Sequence, residues 1–568
     1  MNPETKQCQN CHQPFTIEPD DFAFYEKMAV PPPTFCPDCR SQRRLVYQNW
    51  VNLYKYPCAL CKKDMISMYA PDAGYIVYCP KCWWGDEWDS TAYGQDYDFT
   101  RPFFEQFRDL MHVVPLEGLA IDIPTVASSP YTNHSGHLKN CYLVFWGDFN
   151  EECYYGAYIG ESKMTLDSSL VMNSELVYDS MHAFKVHNGI GLRSQVTESL
   201  DCAFLRDSAN CQNCFASANL RNKKFHIFNK PYSKEQYFEE LKKWDLGSYK
   251  IYREVQKQAE AHWKTLPPKP TMDEFTTNCS GRNVFQSKNA QHCFEVVGVE
   301  DSKYLSMLQL GPNKDCYDVS GWGNNMSLVY DSSNVGENLS NVRFCTQSGI
   351  NFHDGEYNLL STGGAHHFGC ISMRKGEYLI LNKKYSKEDY EALTEKIREH
   401  MRTMPYTDAQ GSVYRYGEFF PVELSMFAYN ETIAQNFFPL SQREATERKY
   451  RWREAETKEY VVTLPAADLP DHIRDATDVL LNEVIGCSAC GRGFKLIPAE
   501  LALLRRMNVP LPRECPFCRI NEKFTQWVKN LRVIPRTCSK CGAAFETNYP
   551  EEEAPYILCK KCYQSEVV

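Results

Sequence analysis

Eight C-x2-C pairs, four near each end of the 568-residue chain, restrict its fold more than any other feature. The front series is Cys8, Cys11, Cys36, Cys39, Cys58, Cys61, Cys79 and Cys82; the rear series is Cys487, Cys490, Cys515, Cys518, Cys538, Cys541, Cys559 and Cys562. Successive pairs are separated by 24, 18 and 17 residues in front and by 24, 19 and 17 at the rear. The match extends past cysteine, since Phe15, Pro19, Met28, Val30, Pro31, Pro33, Pro37 and Arg40 recur as Phe494, Pro498, Met507, Val509, Pro510, Pro512, Pro516 and Arg519. These are two copies of one module.

A C-x2-C pair on a tight turn supplies two soft ligands, and two pairs close a tetrahedral zinc site with no open position. The spacing therefore predicts four structural Zn2+ ions on consecutive pairs; a cross-brace joining first with third and second with fourth is the alternative. Secreted disulfides are the other common use of many cysteines, but they belong to small chains without a core. The opening MNPETKQCQN has no signal-peptide pattern, and no run of eighteen apolar residues offers a membrane span. A cytoplasmic chain without membrane contact is expected. Cys8, Cys11 and His12 spell the c-type haem attachment motif, yet position 12 is Gly491 in the rear copy and no other pair carries the histidine. A thioredoxin-like dithiol needs one reactive pair at a βαβ helix start, whereas every pair here has a partner at ribbon distance. Phe22, Tyr25 and Met28, matched by Leu501, Leu504 and Met507, lie at helical spacing and predict a short helix packed over the knuckles.

The segment CQNCHQPFTIEPDDFAFYEKMAVPPPTFCPDCR and its rear partner ending in RECPFCR resemble the small family described as a probable zinc-ribbon domain. Cys58 to Cys82 and Cys538 to Cys562 resemble the CxxC-x17-CxxC domain family. The presence of both at both ends resembles bacterial multi-zinc-ribbon proteins without an assigned reaction. The resemblance implies bound zinc and brings no known reaction.

From about residue 137 to 400 the pattern changes to units of about a dozen residues, each a polar turn followed by a short alternating strand, as in NCYLVFWG, ECYYGAYIG, SELVYDS and MSLVYDSS. Such units bury a face only by stacking, so the chain is expected to be mainly β: a duplicated β-solenoid, most economically a right-handed parallel β-helix, between two double zinc-ribbon modules. The duplication shows in LVYDS at 176–180 and 328–332, and in NKPYSKEQY and NKKYSKEDY at 229 and 382. Ser233 and Ser386 would cap helices covering the solenoid ends, with Tyr237, Leu241, Tyr390, Leu393 and Ile397 inward. The expected segments are a front module at 1–92, a connector at 93–136, solenoids with terminal helices at 137–265 and 276–401, a connector at 402–486 and a rear module at 487–568.

Ten cysteines lie in the repeats, and pairs such as Cys141 with Cys153 or Cys202 with Cys214 fall one unit apart, as stacked small hydrophobes would. Cys211 and Cys214 form a ninth C-x2-C pair without a partner pair. His353, Asp354, Glu356, His366 and His367 read as residues of exposed turns, with no acid–base pair or nucleophile fixed by spacing. No catalytic residue is assigned. The formal charge of −10 falls to about −18 with four all-cysteine zinc sites, which disfavours attraction of the whole chain to nucleic acid. The rear module alone carries 13 Lys or Arg against 8 Asp or Glu, among them Arg505, Arg506, Arg513, Arg519, Lys523, Lys529, Arg532 and Arg536. Three function classes follow: a non-catalytic scaffold for another macromolecule, with protein favoured; a nucleic-acid binder acting through the rear module; and, on fold analogy alone, a β-helix enzyme acting on carbohydrate.

Overall fold

The computed structural model describes residues 2–454, 461–529 and 531–567; positions 455–460 of the expected connector, and Asn530 and Val568 of the rear module, lie outside the described residues. The fold is mainly β, with two parallel β-solenoids and four-cysteine clusters in both terminal modules. The chain forms two compact units, Met1–Ala120 with Asp273–Glu454, and Ile121–Met272 with Ala455–Val568. Each unit joins one module to one solenoid, and the pairing is crosswise: the front module shares its unit with the second solenoid, the rear module with the first.

In the first solenoid parallel strands repeat every twelve residues, with Tyr142 opposite Tyr154, Leu166 opposite Tyr178, and Tyr178 opposite Ile190. The backbone has a finer period. From His134 to Ser194 every third residue has a positive φ, including bulky Leu143, Tyr155 and Leu170. Two extended residues followed by one left-handed residue, repeated four times, turn each twelve-residue coil through four corners. L-residues resist this conformation by about 1–2 kcal/mol each, so each corner needs compensation. It comes from the corner N–H, which donates to a carbonyl on the preceding coil, as in Asp167 to Tyr154 (3.2 Å), Asp179 to Leu166 (3.1 Å) and Gly191 to Tyr178 (3.0 Å). The second solenoid is built the same way with coils of twelve to fourteen residues, Gly281 lying opposite Cys293, Ser306 opposite Ser320 and Ser320 opposite Ser333.

Valine and leucine fill each solenoid, including Val144, Val177 and Leu192 in one and Val284, Val319 and Val342 in the other. Buried serines form ladders between coils. Ser168 Oγ donates to the Leu166 carbonyl (2.9 Å) and accepts from Ser180 N–H (3.1 Å); Ser180 Oγ donates to Tyr178 (2.8 Å) and accepts from Leu192 N–H (3.0 Å). The repeat cysteines take the same part, with Cys202 in register with Cys214 and each thiol donating to the carbonyl two residues back. Ser180→Ala removes the acceptor for the buried Leu192 N–H and is expected to destabilise the first solenoid by about 1–3 kcal/mol; amide exchange at Leu192, faster than in wild type, checks it.

The expected caps are present. Ser233 and Ser386 begin the helices Lys234–Leu241 and Lys387–Thr403, accepting from Gln236 and Asp389 N–H, and Tyr237, Tyr390 and Ile397 are buried. Two features differ from the sequence reading. Solenoid strands begin at Val126–Ala127, ahead of position 137; the earliest strands are only two residues long, too short to show alternation. A second helix, Tyr249–Lys264, follows the first cap; its buried stripe of Tyr252, Val255, Ala259 and Trp263 is helical, but its small alanine and dense charge hide the period.

Candidate metal centres

The quartets form from consecutive pairs, Cys8/11/36/39, Cys58/61/79/82, Cys487/490/515/518 and Cys538/541/559/562, with the four sulfurs of each within 4.8 Å of one another. The cross-brace alternative does not occur. In each quartet the first pair lies on the turn of a two-stranded hairpin, such as Glu4–Gln7 with Pro14–Ile17. The second pair opens a helix: Pro37–Leu45, Pro80–Trp83, Pro516–Lys529 or Lys560–Val567. Proline at the first helical position of three of them gives up no needed hydrogen bond, and a helix start favours thiolate charge.

Two backbone hydrogen bonds define the shared geometry. The first cysteine's carbonyl accepts from the N–H four residues on, at His12, Lys62, Gly491 and Gly542 (2.9–3.1 Å). Its sulfur accepts from the N–H of the third cysteine, at 3.3, 3.2, 3.2 and 3.3 Å in chain order. Such donors hold three of these thiols down although burial opposes ionisation: Cys58 and Cys487 at about 7, Cys538 at about 6. Cys8 is lowered mainly by hydrogen bonds from the Cys36 and Cys39 side chains.

Sulfur pairs lie 3.7 Å apart at Cys11–Cys36 and 3.8 Å apart at Cys487–Cys518, Cys490–Cys515 and Cys541–Cys559. A tetrahedron with zinc–sulfur bonds of about 2.3 Å has sulfur edges of about 3.8 Å. The donor set and its spacing thus fit a divalent ion bound by four thiolates.

His12 has its place in this turn rather than in haem chemistry. It occupies the left-handed position (φ 57°) that Lys62 (63°), Gly491 (74°) and Gly542 (73°) fill elsewhere, and its side chain is exposed. His12→Gly and Lys62→Gly should each stabilise the metal-loaded front module by about 0.5–1 kcal/mol, measured by thermal unfolding.

Beyond the sulfurs, the structure assigns a role that sequence reading did not. The helix stripe faces the solenoid: Phe24 stacks on Tyr317 at 3.8 Å and Tyr25 lies 5.5 Å from Tyr330, while Phe22 is only half-buried. The helix Pro37–Leu45 lays three buried arginines on the second solenoid. Arg40 meets Asp318 (2.9 Å), Arg44 bridges Asp318 (3.2 Å) and Asp331 (2.9 Å), and Arg43 bridges Asp331 and Glu418 (3.0 Å each). Both aspartates are left-handed corner residues of successive coils. The rear unit repeats the pattern: Arg519 meets Asp167 (2.6 Å) and Glu500 (2.9 Å), and Lys523, the counterpart of Arg44, meets Asp179. Arg40 also donates to the Phe35 carbonyl beside its knuckle (2.8 Å).

Other rear-module cations also have partners inside their unit. Arg505 pairs with Asp478 (2.8 Å), Arg506 reaches the Met164 sulfur (2.9 Å), Arg513 donates to the Leu469 and Pro470 carbonyls, Lys529 lies 3.8 Å from Glu553, and Arg536 donates to Tyr549 and Ala554. Cys211 and Cys214 are buried in the first solenoid, and the neighbouring Cys202 thiol together with burial pushes Cys214 up to about 12. They belong to none of the four ligand clusters found among the described residues. The placement of Glu356 and His367 on exposed turns is corrected. Glu356 is buried against Arg398 (2.5 Å) and Arg343 (3.7 Å), and His367 lies inside the second solenoid, bonded to the Gly376 carbonyl (3.0 Å) and held by burial at about 4. His353 binds Ser340 (2.8 Å), and His366 stacks on Tyr378. Solenoid interiors accept such groups because the coils supply partners at every level.

No family model matches the chain, and no curated protein matches it. Among solved structures, a match with 10% identity and a TM-score of 0.09 is to a crystal structure described as "putative acetyltransferase from Desulfovibrio desulfuricans G20", covering 44% of this chain and 64% of that one. At that TM-score it carries no argument about fold or activity. The four cysteine quartets and the solenoids are therefore what characterise this protein.

Proposed function

We propose that the chain binds four structural zinc ions and acts as a non-catalytic scaffold, holding solenoid faces rigid for another macromolecule, in a reducing compartment. The observation that carries this reading is the use of the metal modules: each sends its second helix, opened by two cysteines of a quartet, into buried ion pairs with a solenoid. Zinc chemistry then serves to fix a surface. None of the 26 cysteines is in a disulfide, which agrees with metal ligation in a reducing setting. No helix among the described residues is long and apolar enough to cross a membrane.

Nucleic-acid binding through the rear module is the rival. Its phosphate contacts would come from cations that already have internal partners, so we expect weak binding with a shallow salt slope. Titration of the intact protein against labelled RNA and DNA at two salt concentrations tests this. Salt-sensitive submicromolar binding, lost on Arg505→Ala and Arg506→Ala, would replace the scaffold reading. Affinity purification with and without nuclease then identifies the class of partner. Carbohydrate chemistry has less support, since the lysines and glutamates along the open face of the first solenoid pair with each other, Lys139 with Glu151 at 2.8 Å and Lys185 with Glu198 at 3.3 Å.

A further inference from the structure

The two docking interfaces share a frame but differ at one helix position, and that difference is complemented on the receiving side. Arg43 in the front helix corresponds to Glu522 in the rear helix, both lying three residues after the arginine that follows the quartet. In the front unit Asp331 takes two cations from the module, Arg43 and Arg44, and Glu418 takes the other side of Arg43. In the rear unit the equivalent Asp179 takes one cation from the module, Lys523; its second is Arg193 of the solenoid itself (3.1 Å), and Tyr252 donates a third contact (2.7 Å). Arg193 lies two residues past the next corner of its column, a place that Thr346 holds in the second solenoid. Glu522 remains at the half-exposed edge, bonded to Lys523 (3.3 Å) and Gln526 (2.9 Å). The front interface thus matches Arg40, Arg43, Arg44 and Lys303 with Asp318, Asp331, Glu418 and Asp21, and the rear interface matches Arg519, Lys523 and Arg193 with Asp167, Asp179 and Glu500.

We infer that Arg43 and Glu522, read against Glu418 and Arg193, form a charge code that assigns each module to its solenoid. Placed on the first solenoid, the front helix would set Arg43 against Arg193 with one aspartate between them. The rear helix on the second solenoid would set Glu522 against Asp331, and against Glu418 of the segment that follows that solenoid and also accepts from Thr34 of the front module. Like charges in a dry interface disfavour a wrong pairing more strongly than a lost contact does. The common residues, Arg40 with Arg519 and Arg44 with Lys523, give affinity to both pairings and discriminate neither.

Amide exchange of residues 516–529 in the intact, zinc-loaded chain tests the code. Glu522→Gln should leave exchange near wild type, because this side chain is not a buried partner. Glu522→Arg, which faces Arg193, and Arg193→Thr, which leaves Asp179 short of a cation, should each speed exchange by about tenfold or more. Glu522→Arg with Arg193→Thr recreates the arrangement around Asp331, two module cations on one aspartate, and should exchange more slowly than either single variant. A double variant no slower than the slower single variant overturns the code, as does Glu522→Arg exchanging like wild type. Misfolding of a single variant does not blur the outcome, since the double must then recover the fold.

Discussion

Cys36→Ser and Cys515→Ser should each lower the zinc content of the purified chain from four to three, and each should loosen only the unit that holds the changed quartet. Structural zinc sites of this type bind with about 10–16 kcal/mol, more than the stability of most domains, so the loss is not absorbed locally. Cys36 and Cys515 directly precede the helices Pro37–Leu45 and Pro516–Lys529, whose next residues carry the docking cations. Loss of the ion frees the helix start and withdraws Arg40 or Arg519 from its carboxylate. Elemental analysis reads the stoichiometry, and amide exchange reads the location: residues 37–45 respond to Cys36→Ser, residues 516–529 to Cys515→Ser. Two or fewer zinc ions in wild-type protein shielded from chelator and oxidation contradict the assignment.

Asp331→Ala should destabilise the front unit by about 3–5 kcal/mol, the effect of leaving buried charge without its partner. Arg43 and Arg44 are 2% and 1% exposed, so water does not replace the carboxylate. The control is Asp315→Ala on the same solenoid. Its partner Lys27 is equally close (2.8 Å) but 49% exposed, and the change should be worth less than about 1 kcal/mol. Denaturant midpoints followed by exchange in the second solenoid separate the two.

The metal centres were legible because thiolate ligation demands paired cysteines at fixed short spacing, and the solenoids because a twelve-residue coil repeats its side chains at that interval, as Cys202 and Cys214 do. The docking was not legible. Asp318 and Asp331 look like turn residues, since a left-handed corner suits aspartate whatever its side chain does. Their partners lie 274 to 288 residues away, where no local period reaches. Arg519 and Lys523 raised the basic count of the rear module and suggested a phosphate surface; burial against Asp167 and Asp179 takes these two out of any such surface, and burial is not a property of composition. Glu356 and His367 misled for the same reason.

The crosswise order also sets a timetable for synthesis. Arg44 leaves the ribosome 274 residues before Asp318, and Asp167 precedes Arg519 by 352. At about 5–20 residues per second, the front helix waits roughly 14–55 s for its solenoid, and the first solenoid waits longer for its module. A nascent surface that must remain open for so long is at risk of aggregation if it is greasy. Arginine and aspartate keep their hydration shells until the partner arrives, so the charges that flank Phe24, Tyr25 and their partners in the seam help an early half to remain soluble until the late half is made.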